Sequence, residues 1–325
     1  MVLADAFCSG YAEFHIPELP LLEVGLAHYI HSAEAPGSPH EEQHLATHNT
    51  ALQQPAHHVP RPYLHPLRSK AGAVVTDAEP ADHRHHLGLS VAFSDVNGTN
   101  FWGGSTYTAA NGPALLANHG TQVPHGWQQT PGEASGNVSW LSKNGRELAV
   151  EQRHIQYFHD AGAGTWALSL SSVIRPAADV PRLEVSSSAV KGRKGAGYGG
   201  IFWRFPETAG EPLVLSEAGS GAAAAHGSGS RWLSIGMVID GAPVTVLLAQ
   251  ETGRILPWFV RAEGYLGAGP AVAWDEPAVV NRGRNPLKLA LHAVIHDGPV
   301  DTAARALELL NQHPLINPGS SDRTP

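Results

Sequence analysis

Three histidines in four residues, within Asp82-His83-Arg84-His85-His86, are the densest set of groups in this sequence able to do chemistry. Imidazole titrates near neutral pH and serves as a general acid or base, and neutral imidazole is the commonest metal ligand. A neighbouring carboxylate such as Asp82 can orient the ring and hold its tautomer. In an extended strand, residues two apart point the same way, so His83 and His85 would share one face, with Asp82, Arg84 and His86 on the other. In a turn, His83 and His86 would converge instead. The spacing is not that of a zinc motif such as H-E-x-x-H, and no Cys accompanies it. Acid–base catalysis, a divalent metal ion held by His83 and His86, and plain hydrogen bonding at a strand start all remain open.

Other candidates lie further along the chain. His125, in Val123-Pro124-His125-Gly126-Trp127, has the turn-like setting in which a histidine can join a catalytic set. His65 stands upstream, in Arg61-Pro62-Tyr63-Leu64-His65-Pro66. Arg204 ends a run of large apolar residues and Arg261 follows Pro257-Trp258-Phe259-Val260. Either guanidinium could clamp a hydroxyl or a carboxylate, or be no more than an edge charge. Trp102, Trp258 and Trp274 could stack on sugar faces, although large aromatics more often fill cores. The glycine-rich run 195–200 ends in no Lys-Ser/Thr and precedes a strand, so it is a weak phosphate-loop signal.

Strands must position these groups. Apolar and polar residues alternate in Thr165–Val173 (Trp166, Leu168, Leu170) and in Leu287–Ile295, the pattern of half-buried strands. Val24–His31, Leu87–Phe93, Val138–Ser142, Leu148–Phe158, Leu183–Ser188, Ile201–Phe205, Trp232–Ile239 and Val244–Gln250 read the same way. Asn144-Gly145 and Asp240-Gly241 read as hairpin turns, because they tolerate the positive φ that tight hairpins need. A helix is expected over 302–311, capped by Asp301, with Ala303, Ala306, Leu307 and Leu310 as its apolar stripe. The expectation is an all-β fold, a large antiparallel sandwich of about a dozen strands or more in one domain spanning 1–325. The Gly/Ala/Ser-rich stretch 217–230 reads as flexible filler. The loop 32–60, with His40, His44, His48, His57 and His58, reads as a solvent-facing surface segment.

Composition narrows the function classes. Charged residues are only 15% of the chain while Gly (35) and Pro (25) abound, which suits a turn-rich β protein. A net charge of −8 with no basic run disfavours a nucleic-acid partner. No stretch reaches the roughly 18 apolar residues of a membrane-spanning helix, so no membrane partner is expected. Cys8 is the only cysteine and the amino terminus has neither a basic nor an apolar signal region, so a cytoplasmic location is expected. A homo-oligomer is compatible with this composition.

The run R-P-Y-L-H-P, then P-A-D-H-x-x-H-x-G-L, then D-V-N-G-x-N-F-W-G-G resembles the bacterial family called methane oxygenase PmoA. The resemblance continues through Gly199-Gly200-Ile201-Phe202-Trp203-Arg204, and through Trp258 and Arg261 to Tyr265 and Trp274. It covers roughly residues 60 to 298. The family pattern D-H-P-W-H-H-G-L is kept at Asp82, His83 and His86, and departs at Arg84, His85 and Leu87. A three-histidine ligand set implied by the resemblance is therefore incomplete at position 87, with His85 as the candidate to replace the missing member. Methane oxidation itself is not expected, because that enzyme must cross a bilayer. The resemblance implies a carbohydrate-type sandwich like the aldose mutarotases, and adds Tyr265 to the candidate ligand-binding residues. Two functions follow as expectations. One is an enzyme acting on a carbohydrate or oxidised sugar (epimerase, lyase or hydrolase type) through His83 and His86, oriented by Asp82, with His125 as a third member. The other is a non-catalytic sugar-binding or scaffold protein on the same sandwich.

Overall fold

A computed structural model describes residues 28–31, 44–130, 132–159, 162–251 and 253–316. Cys8, His40, the first part of the expected strand Val24–His31 and residues 32–43 of the expected loop lie outside the described residues.

Two large sheets, every strand pair antiparallel, make the sandwich that the alternating segments predict. The seven-stranded sheet runs in the order His28–His31, His44–Asn49, Tyr63–Leu67, Leu89–Phe93, Gly199–Arg204, Gly267–Pro270, Trp258–Arg261. The nine-stranded sheet runs Gly219–Ser220, Leu213–Ser216, Trp232–Ile239, Ala242–Gln250, Leu287–Asp297, Thr165–Pro176, Glu147–Phe158, Glu133–Leu141, Thr121–Thr130. The main core lies between them. Trp166, Leu168 and Leu170 from one sheet meet Leu89, Val91, Ile201, Trp203 and Trp258 from the other.

Each sheet also buries part of its second face. On the nine-stranded sheet, the helix Ala303–Leu310 packs Ala306, Leu309 and Leu310 onto Ala167, Leu247 and Val294. This explains why Thr165–Pro176 is buried on both sides where it passes under the helix. The helix is capped by the Thr302 side chain, which accepts from the Arg305 amide, and not by Asp301. Its buried stripe includes Leu309, while Leu307 is 42% exposed. The polar Ser169 is satisfied there by His292 Nδ1 at 2.6 Å and His313 Nε2 at 3.2 Å.

The seven-stranded sheet matters more for function. Period-two alternation sends Ile201 and Trp203 into the main core and Phe202 to the opposite face. In the same way Trp258 and Val260 point inward, and Phe259 outward. Phe202, Phe259, Ala92, Trp102 and Ala271 form a separate aromatic cluster on that outer face, with Tyr198, Tyr265 and Trp274 packed against it. Gly267 makes this possible, since a Cβ there would stand 2.5 Å from the Phe202 ring.

Turn chemistry follows the residues. Asp240 and Gly241 both have positive φ (51° and 81°), as the two-residue hairpin demands. Asn97 and Gly98 do the same (50° and 84°) between Val96 and Thr99, which exchange backbone hydrogen bonds. At Asn144-Gly145 only Gly145 has positive φ, and the register slips one residue beyond the turn. The stretch 217–230 is not filler: it holds a short strand, the single helical turn Ala222–Ala225 and part of a cleft wall. Nor is the His-rich region wholly solvent-facing. His48 is 1% exposed and stands edge-on to Trp127, with ring centroids 4.3 Å apart. No helix among the described residues is long and apolar enough to cross a membrane.

Candidate functional site

The segment Asp82–His86 is not a strand. The His83 amide donates to the Pro80 carbonyl at 3.0 Å and the His86 amide to the His83 carbonyl at 2.8 Å, so two turns follow one another. This brings His83 and His86 together, with ring centroids 4.7 Å apart and planes 23° from parallel. The segment is pinned from behind by Arg61, itself 2% exposed, which donates to the His85 carbonyl at 2.9 Å and to the Trp102 carbonyl at 3.2 Å. A second anchor is the pair Gly103 and Gly104, both at positive φ. A Cβ on Gly104 would stand 2.8 Å from the His85 ring, so only glycine leaves that ring its place.

The turns form one wall of an open cleft of about 1010 Å³ over the outer aromatic face. Asp82, His83, His85, His86, Trp102 and Tyr265 line one end. Arg193, Lys194, Tyr198, His226, Phe259 and Arg261 line the remainder, with the hairpin that carries Tyr107 and Pro113 at the rim.

One pair stands out chemically. His83 Nδ1 lies 2.7 Å from Asp82 Oδ2, with the two side chains 33% and 49% exposed. The hydrogen bond from His83 holds the Asp82 carboxyl below its usual range, helped by the charge of Arg204. An ionised carboxylate only accepts, so Nδ1 carries the proton and the lone pair of neutral His83 sits on Nε2. This is the orientation a general base requires.

Beside this pair, His85 and His86 are held neutral. Burial, then the neighbouring His85 and His83 and the charges of Arg204 and Arg61, push His86 well below the usual histidine value, and its Nδ1 is buried without a hydrogen-bond partner. Burial and Arg61 push His85 down to about 3. Tyr265 is the hub of the site, with its ring centroid 4.8 Å from that of His83 and 4.9 Å from that of His86. The guanidinium groups of Arg204 and Arg261 lie 4.8 Å and 5.1 Å from its ring centre. Burial raises its phenol to about 12 despite those cations, so it stays protonated.

Residues 38–310 match the family described as a family of unknown function, DUF6807. The chain belongs to the DUF6807 family. Among curated proteins none matches the sequence. The DUF6807 match contains every residue of the cleft wall and supplies no activity, so function has to be argued from the site.

Of the residues singled out from sequence, Asp82, His83, His86, Trp102, Arg261 and Tyr265 meet in this DUF6807 cleft. Five do not line it, among them Trp274, which packs against the outer aromatic cluster. His125 sits in the strand Thr121–Thr130 of the other sheet, bonded to Ser139 Oγ at 3.0 Å. Trp258 is fully buried between the sheets, its indole donating to the Ser230 carbonyl, because alternation turns Phe259 outward instead. His65 pairs with Thr76 Oγ1 at 3.0 Å. Arg204 is 3% exposed and lies beneath the wall, 3.6 Å from Asp77 and 3.9 Å from Asp82, with Nε and Nη1 unpartnered. It can act on a ligand only through Asp82 and Tyr265.

Metal ligation by His83 and His86 does not fit this geometry. Imidazole lone pairs lie in the ring plane, and two rings stacked nearly parallel do not aim them at a common point. The ring centroids of His83 and His86 are 4.7 Å apart with planes only 23° from parallel. Among the described residues no three His, Cys, Asp or Glu side chains group as ligands. Sequence reasoning missed Arg193, Lys194, Tyr198 and His226. The first three lie beside or within the glycine-rich run and the fourth in the stretch read as filler, and no periodicity marks them.

Proposed function

We propose that this protein is an enzyme that moves a proton on a carbohydrate or an oxidised sugar derivative, with His83 as the acid–base group and Asp82 as its orienting partner. The observation that carries this reading is the Asp82–His83 hydrogen bond of 2.7 Å on the wall of a ligand-sized cleft. A carboxylate-bound imidazole removes a proton next to a carbonyl and returns it, the step common to epimerases and lyases, and it can equally activate water in a hydrolase. The remaining lining suits a polyhydroxylated ring: Trp102, Tyr198, Phe259 and Tyr265 give it an apolar aromatic side, and polar and charged side chains on the rest of the wall can meet hydroxyls. Tyr265, protonated at neutral pH, can donate to an oxygen that gains charge.

The outer aromatic cluster also favours a second reading, a non-catalytic sugar-binding protein, because stacking on that surface needs no acid–base group. A turnover screen of aldoses, uronates and aldonolactones with the wild type and His83→Gln separates the two. Turnover lost in the variant supports the enzyme. Binding without turnover in either protein supports the binding protein.

A further inference from the structure

The cleft wall also carries a charge arrangement that proton transfer does not use. Arg193 and Lys194 lie on the segment between Ser187 and Gly197, and Arg261 ends the strand Trp258–Arg261. That segment is held in shape by its own backbone. The Arg193 amide donates to the Ser188 carbonyl at 2.9 Å, the Ala196 amide to the Arg193 carbonyl at 3.1 Å, and the Ala189 amide to the Ala196 carbonyl at 3.1 Å. Lys191 ties it to the rest of the fold through Asp95 at 2.5 Å. Arg193 and Lys194 are thus presented from an ordered base, both exposed on the cleft wall.

None of the ion pairs among the described residues involves Arg193, Lys194 or Arg261. Arg261 spends only its Nε, on the Glu263 carbonyl at 3.0 Å, which fixes the guanidinium and leaves its terminal nitrogens. Arg193 lines the same cleft as Tyr265, over whose ring the Arg261 guanidinium lies at 5.1 Å. Two exposed cations from separate elements therefore share the cleft wall with Tyr265, the ring that packs against His83.

We infer that Arg193 and Arg261, with Lys194 beside them, form a subsite for a single acidic group of the substrate, a carboxylate or a phosphate, next to the proton-transfer pair. Resting on the sugar-enzyme reading, this narrows its substrate to sugar acids or sugar phosphates. Guanidinium groups suit both anions, because their donors form a planar fork. The number of charges is limited by the same wall. Glu211 and Glu263 also line the cleft, and with Asp82 they balance the three cations. Those carboxylates repel a polyanion such as a nucleotide diphosphate more strongly than a single acidic group among hydroxyls.

The test is calorimetric titration of the full chain with D-glucuronate, D-glucose 6-phosphate and D-glucose. It compares the wild type with Arg193→Gln, Arg261→Gln and the double variant, whose folding is checked by circular dichroism. The expected result is that one of the two acids binds about tenfold or more tightly than glucose, and that the double variant loses that preference while glucose affinity holds. Whichever acid prevails identifies the group. Equal affinity for all three sugars, a preference that survives the double substitution, or no binding of any of them overturns the inference. The two readings fail separately. A sugar acid held by the arginines without His83-dependent turnover defeats the enzyme, whereas turnover of neutral sugars with no acid preference defeats only the subsite.

Discussion

Asp82 Oδ2 accepts a hydrogen bond from His83 Nδ1 at 2.7 Å, and the same carboxylate is approached from below by the buried guanidinium of Arg204 at 3.9 Å. The order Arg204, Asp82, His83 runs from the protein interior to the cleft, so a charge set in the fold is passed to a group at the surface.

Asp82→Asn removes that charge and keeps the shape. Turnover should fall by about 10²-fold or more, because the amide no longer stabilises the imidazolium formed in proton transfer. Stability at pH 7 should change by no more than about 0.5 kcal/mol, since the pair is partly exposed. Asp82 has a depressed folded value, so whatever stability it adds is present above its usual 3.8 and lost as pH falls through the folded value. Chemical denaturation and rate measurements on the same samples check both halves.

Arg204→Met should let the Asp82 carboxyl titrate higher, nearer its usual 3.8, because the cation that helps depress it is gone. Carbon-detected NMR of the carboxylates follows this directly. An Asp82 titration unmoved by the substitution would show that Arg204 serves packing alone.

Gly104→Ala and Gly98→Ala separate backbone strain from steric conflict. Both sites have positive φ, but a Cβ at Gly98 meets nothing within 4 Å, while one at Gly104 meets the His85 ring. The first should cost about 1 kcal/mol and the second distinctly more, with the difference read from denaturation midpoints. Equal costs would mean that His85 moves aside freely.

Much of the fold was legible because alternation needs only neighbours in sequence. Trp166, Leu168 and Leu170 proclaim one face of a strand whatever lies opposite. The site was legible only where its groups were adjacent, as Asp82 and His83 are. Trp258 was misplaced by one residue of register, since sequence gives the alternation in a short strand but not which phase faces the core. His125 failed for a different reason: nothing local tells which of two sheets a strand joins. Arg193 and His226 share the cleft through tertiary packing of irregular segments, which leaves no periodic trace.

Acid should loosen the carboxy-terminal helix first. Burial lowers His292 and His313, beneath it, to about 4. A histidine depressed in the folded state contributes stability that is full above its unfolded value of about 6.5 and lost as pH falls toward the folded value. Each group therefore weakens the helix by up to about 1.4 kcal/mol per pH unit between about 6.5 and 4. Hydrogen exchange of Ala303–Leu310 should accelerate across that window, relative to the expected intrinsic rates, before the strand Thr165–Pro176 loses protection.

The central claim is that His83 moves a substrate proton, and deuterium incorporation from heavy water tests it most directly. Sugars and sugar acids incubated with the wild-type protein and with His83→Gln are followed by proton NMR for loss of carbon-bound hydrogen beside the carbonyl. The account predicts exchange or turnover with the wild type, and a loss of about 10²-fold or more in the variant, with binding retained. Exchange that proceeds at the wild-type rate without His83 would contradict it.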